Sequence, residues 1–113
     1  MSFYGYHGVH EHERIRGQRY LVDIEVGTDT TIPAKSDDLL DTVNYSKLFD
    51  IVKNIVEGPS HNLIESLASD IASAVLSIKN VSSITVRVKK LEPPIANAIL
   101  DYASVEITRY NQP

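Results

Sequence analysis

An α+β domain on a four-stranded antiparallel sheet is the fold this chain predicts, and three observations carry it. Period-two alternation of apolar and polar residues marks segments early and late in the chain. Two stretches of helical periodicity fill the middle. Strands and helices segregate along the chain instead of alternating, which favours helices packed on one face of an antiparallel sheet.

The elements follow in order. Met1 to Gly8 (MSFYGYHG) is aromatic and glycine-rich and reads as the tail of a first strand. His10 to Arg16 (HEHERIR) reads as a charged loop. Tyr20, Val22, Ile24 and Val26 alternate with Leu21, Asp23 and Glu25, giving a second strand and an antiparallel hairpin with the first. Thr28 to Asp38 is polar, contains a proline and reads as a connecting loop. Asp41-Thr42-Val43-Asn44 leads into a first helix whose stripe is Tyr45, Leu48, Phe49, Val52, Ile55 and Val56, stopped by Gly58-Pro59. In a second helix Asn62 is the expected N-cap, and Ile64, Leu67, Ala68, Ile71, Val75 and Leu76 form the buried face, fading near Asn80. Ile84, Val86 and Val88 alternate with Thr85, Arg87 and Lys89 in a third strand, ended by Pro93-Pro94, which cannot supply ladder N–H groups. After a loop from Leu91 to about Asp101, a last strand points Ala103, Val105 and Ile107 inward and Ser104, Glu106 and Thr108 outward. The order is ββααββ, with two helices on one face. The other face needs a partner if it is apolar, and Leu21 points that way.

Whole-chain quantities bound the function. The 113 residues make one domain, 1–113, and 42% hydrophobic with 23% charged residues is ordinary for a globular protein. A net charge of −4 with no basic run argues against nucleic acid as a partner. Without cysteine there is no disulfide, thiolate nucleophile or cysteine–zinc site. The apolar stretches are short and broken by charge, so neither a signal peptide nor a membrane partner is expected, and a cytoplasmic location is the default.

Four residues stand out for chemistry. Lys90 has the parity of the inward-facing valines, and an ammonium there needs a cavity or a partner, unless the strand has already ended and the side chain turns to water. Glu65, three residues after Asn62, closes a capping box or projects a carboxylate toward a guanidinium-like group on a ligand. Tyr45, opening the first helix, reads as a packed aromatic with its hydroxyl at the rim. Glu13 lies in the charged segment, where most carboxylates are merely solvated. His7, His10 and His12 crowd one segment and could form a zinc site, although loop histidines beside Glu11 and Glu13 are more often simply exposed. Neither a Ser-His-acid order nor a glycine-rich phosphate loop is present.

Several ordered segments resemble dihydroneopterin aldolase, an enzyme family of folate synthesis. They are Phe3-Tyr4-Gly5-Tyr6-His7-Gly8, Gly17-Gln18, Ser36-Asp37-Asp38, Asp41-Thr42-Val43-Asn44-Tyr45, Asn62-Leu63-Ile64-Glu65-Ser66-Leu67-Ala68, and Val86-Arg87-Val88 leading to Lys90 and Pro93-Pro94. The resemblance implies the tunnelling fold: sheets join edge to edge into a tetrameric barrel, often stacked as an octamer, with active sites between subunits. It implies a pterin substrate held by Glu65, with Ile64 beside it, Glu13 reaching toward it, and Tyr45 supplied by the adjacent subunit. Lys90 matches the lysine regarded as general acid/base, and Tyr45 helps manage the substrate hydroxyl and protonation of the intermediate.

The implied reaction splits 7,8-dihydroneopterin into 6-hydroxymethyl-7,8-dihydropterin and glycolaldehyde, with epimerisation at the 2′ carbon where recombination follows cleavage. The pterin ring accepts the electron pair, so no cofactor, metal or lysine Schiff base is implied. The chain departs from the family pattern after Pro94, where Ala96-Asn97-Ala98-Ile99-Leu100 replaces a glycine-containing turn, and its first strand is expected to be short. Other readings are a dihydroneopterin triphosphate epimerase, a zinc-dependent pterin synthase of the same fold using His7, His10 and His12, and a pterin-binding protein without turnover.

Overall fold

Alternation becomes a sheet of four strands, β1 (Ser2–Gly5), β2 (Gln18–Gly27), β3 (Ser83–Lys90) and β4 (Ala103–Tyr110), in a computed structural model that describes residues 1–111. They lie in spatial order β1-β2-β3-β4, each antiparallel to its neighbour, so β1 and β4 are the two edges. Register sets Val22 opposite Val88 and Val88 opposite Val105, with Ile24, Val86 and Ile107 in the next row. Apolar rows therefore cross one face, and the same parity carries Tyr20, Lys90 and Ala103 into the last row.

Two helices cover that face: α3 (Tyr45–Val56), which touches β1, and α4 (Ile64–Leu76), which lies on β3 and β4. Leu48, Val52 and Val56 of α3 are buried, as are Leu67, Ala68, Ile71, Ala72 and Val75 of α4. They close on Val22, Ile84, Val86 and Val88 of the sheet in one core. Each buried Leu, Ile or Val among them contributes about 1.5–3 kcal/mol by leaving water. Asn44 caps α3, its Oδ1 accepting from the Ser46 N–H at 2.9 Å.

Several elements differ from the sequence expectation. His10–Arg16 is not a loop: Glu11–Arg16 forms a helix, α1, with acids in its first turn and arginines in its last, matching the helix dipole. The connection after β2 also contains a helix, α2 (Thr31–Ser36), which tolerates Pro33 because N–H groups of a first turn have no intrahelical partner. A 3₁₀ turn, Leu39–Asp41, follows. The residue preceding α4 is Leu63, which has no side-chain cap, so Asn62 is not the N-cap and no capping box forms with Glu65. Tyr45 and Phe49 of the α3 stripe stay 82% and 43% exposed.

The outer face of the sheet is polar, contrary to what Leu21 implied. Arg87 bridges Asp23 on β2 and Glu106 on β4, Lys89 lies 3.7 Å from Asp23, and the Thr85 and Thr108 hydroxyls are 2.9 Å apart. Among the described residues, no helix is long and apolar enough to cross a membrane.

Candidate active site

The end of β3 meets the start of β2 beneath α1, and there a buried carboxylate meets a largely covered ammonium. Lys90 Nζ donates to Glu13 Oε1 at 2.7 Å, with side-chain exposures of 13% and 3%. The strand has not ended at Lys90, and its ammonium does not turn to water. The other Glu13 oxygen accepts from the His10 backbone N–H at 3.3 Å. Burial pushes the Glu13 carboxyl up, but Lys90 and the His10 amide outweigh it and hold the group below the usual carboxylate range. The expected solvated glutamate is thus a buried anion.

Glycines shape this corner. Gly8 adopts φ 139°, and a Cβ there would lie 2.1 Å from Glu13 Oε2, so the carboxylate rests against bare backbone. Gly17, at φ 68°, ends α1 with its N–H donating to the Glu13 carbonyl at 3.0 Å.

A cleft of about 270 Å³ opens above the pair. Val9, His10 and Glu13 form one wall and Asn62, Leu63, Ile64 and Glu65 the other. Lys90 lies between them, with Pro93, Pro94 and Ile95 at the lip. Glu65, exposed and free of a capping role, presents a carboxylate at the first turn of α4. The chain thus brings Lys90, Glu13, Ile64 and Glu65 to one cleft. Tyr45 is elsewhere, beside a separate apolar hollow of about 370 Å³ formed with Met1, Ile24, Val26, Leu48 and Phe49. A larger hollow of about 490 Å³ lies at the far end of β3, near Asp29, Asn80 and Ser82, but no buried charge pair stands in it.

The histidines separate. His7 is buried, with both ring nitrogens engaged by backbone groups of Val56 and His61. His10 and His12 stack with centroids 5.6 Å apart. Among the described residues no three His, Asp or Glu side chains are grouped to hold a metal ion.

Three buried polar residues at this corner escaped the sequence reading of roles. His7 entered only as a metal ligand. Tyr20 donates its hydroxyl to the His7 carbonyl at 3.0 Å, and burial with the nearby Glu13 charge pushes its phenol up to about 12. Gln18 accepts the Glu92 N–H at 2.7 Å and ties the turn after β3 to β2. Gly5, two residues before His7, was the available signal that this ring packs tightly against backbone.

The profile of the dihydroneopterin aldolase family matches residues 1–108. The chain belongs to the dihydroneopterin aldolase family. Dihydroneopterin aldolase of Bacillus subtilis is 44% identical over 110 residues, covering 96% of this chain and 91% of the relative. That of Staphylococcus epidermidis is 46% identical over 112 residues, covering 98% and 92%. Among solved structures, E. coli dihydroneopterin aldolase in complex with neopterin superposes with TM-score 0.84 at 30% identity, covering 96% of this chain and 91% of that one. A Vibrio cholerae chain at 23% identity has the same fold, with TM-score 0.88 over 98% of this chain and 92% of its own. Membership places the chain among the aldolases, a class of carbon–carbon lyases.

Proposed function

We propose that this dihydroneopterin aldolase cleaves 7,8-dihydroneopterin by acid–base chemistry in the cleft above Lys90 and Glu13. The observation that carries the proposal is the buried Lys90–Glu13 pair, 2.7 Å apart, opening into a cleft whose far wall holds Glu65. Glu65 receives the paired N–H donors of the aminopyrimidine edge, a planar two-point contact, and Ile64 packs beside the ring. The substrate side chain then reaches toward Lys90.

Lys90, once it has given a proton to solvent, takes the proton of the 2′-hydroxyl. The C1′–C2′ bond breaks, glycolaldehyde leaves, and the electron pair passes through C1′ into the ring's protonated N5=C6 bond. The ammonium returns a proton to C1′ and N5 releases its own proton to solvent, giving 6-hydroxymethyl-7,8-dihydropterin. Glu13 holds the amine in place throughout and faces the departing hydroxyls. Positioned proton transfer of this kind contributes about 10²–10⁴-fold to rate.

Assembly completes the site in this reading. Tyr45 is 82% exposed and borders an apolar hollow, while β1 and β4 leave unpaired edges. Sheets joined edge to edge in a homotetrameric barrel, alone or stacked as an octamer, would pair those edges and bring a neighbour's Tyr45 to the cleft. The polar outer face then lines the barrel, and the enzyme works in the cytoplasm on a free pterin. Incubation of purified protein with 7,8-dihydroneopterin in EDTA should release glycolaldehyde; no product from an assembled oligomer defeats the proposal.

A further inference from the structure

Beneath the cleft lies a buried group that the proposed chemistry does not use. His7 is 1% exposed, and both of its ring nitrogens are engaged. Its Nε2 is 2.7 Å from the Val56 carbonyl at the end of α3, and its Nδ1 is 2.9 Å from the backbone N–H of His61. A carbonyl can only accept and an amide can only donate, so the ring is neutral, with its proton on Nε2. Burial, the Lys90 ammonium and His61 all oppose a second proton, against the pull of the Val56 carbonyl. Gly5 makes room: a Cβ there would lie 2.9 Å from the ring's Cδ2.

The bond to His61 is one of a pair. Gly8 N–H donates to the His61 carbonyl at 2.9 Å, so residues 7–8 and residue 61 are joined in both directions. Both walls of the cleft grow from this joint. One begins at Val9 and runs to Glu13; the other begins at Asn62 and runs to Glu65. The His61 ring meets Asp70 of α4 at 2.6 Å, which fixes the joint to the helix that carries Glu65. On the other side the Tyr20 hydroxyl holds the His7 carbonyl.

We propose that His7 is a positioning residue of the aldolase: its neutral, Nε2-protonated ring holds the Glu13 wall and the Glu65 wall at the separation at which one pterin meets both Glu65 and Lys90. His7 does not touch substrate. It acts through the His61 backbone, and the proposal rests on the reading of the cleft given above. Asparagine and glutamine divide the two hydrogen bonds of the ring. In His7→Asn the amide oxygen takes the place of Nδ1 and keeps the joint to His61. In His7→Gln the longer amide reaches the Val56 carbonyl and leaves the His61 N–H without its acceptor.

The expected result is that His7→Gln loses on the order of tenfold to a hundredfold in kcat/KM, the scale of a small misplacement of a reacting group. It should also lose neopterin affinity and exchange the His61 amide hydrogen faster. His7→Asn should stay near wild type in all three, although each variant gives up one buried hydrogen bond and some ring packing. Equal losses in the two variants, or wild-type kinetics in His7→Gln, overturn the proposal. If neither variant folds, ¹⁵N imidazole spectra of the native protein decide: an Nε2-protonated ring supports the joint, and an Nδ1-protonated or doubly protonated ring overturns it. Wild type that releases no glycolaldehyde counts against the aldolase reading alone, because neopterin affinity and His61 amide exchange report on the joint in either case.

Discussion

Lys89 and Lys90 are chain neighbours with opposite surroundings. Lys89 lies on the polar face near Asp23, with its ammonium 5.0 Å from the centre of the Tyr102 ring, whereas Lys90 is largely covered and paired with the buried Glu13. Lys90→Ala should lose on the order of 10²–10⁴-fold in turnover while pterin affinity persists, and Lys89→Ala should change little. Equal losses would mean that the polarity of the two faces does not decide function. Thermal unfolding should separate them too, since removing one partner of a buried pair costs about 3–5 kcal/mol. Glu13 makes stability depend on pH in a definite sense. Its carboxyl is held below its ordinary value in the folded chain, so its contribution is complete above the unfolded value of about 4.3 and is lost as pH falls through the folded one. The melting temperature of wild type should therefore fall more steeply below about pH 4.3 than that of Glu13→Gln; parallel curves would contradict the assignment.

Helix starts show how local signals succeed and fail. Asn44 and Asn62 both precede helical stripes, yet only Asn44 caps its helix, because Leu63 intervenes as the last non-helical residue before α4. Asn44→Ala should cost about 0.5–2 kcal/mol in denaturant unfolding, and Asn62→Ala should cost less than that; the reverse order would refute the boundary at Leu63. The uncapped start has a consequence for function. With no capping box, the Glu65 carboxylate is not engaged by the helix's own backbone, as the pterin contact proposed above requires. The short helices α1 and α2 were not legible, since six residues cannot display a full apolar stripe and their composition resembles that of loops.

At the scale of the molecule, one chain does not bring the five proposed site residues together. Lys90, Glu13, Ile64 and Glu65 share a cleft, while Tyr45 borders a different hollow. If the active site lies between subunits, Tyr45→Phe and Lys90→Ala variants, each impaired alone, should recover activity when unfolded together and refolded as mixed oligomers. Some interfaces would then combine an intact Lys90 with a neighbour's intact Tyr45. No recovery in oligomers shown to be mixed would place the whole site in one chain. Sedimentation should find multiples of four of the 12.6 kDa chain.

The chain's own periodicity determined three of the four strands, the two long helices, the rows of the core and the inward parity of Lys90, because each depends on neighbours only a few residues apart. Glu13, Glu65, Ile64 and Tyr45 were legible as a set only through the family resemblance; by local pattern each had an ordinary surface or packing role. Tertiary structure decided the rest. It buried Glu13 against a lysine 77 residues away, joined His7 to His61 across 54, and stood two walls around Lys90 while leaving Tyr45 outside. Those outcomes depend on which distant segments pack together and on the hydrogen bonds their burial then requires, and no short window of sequence carries that information.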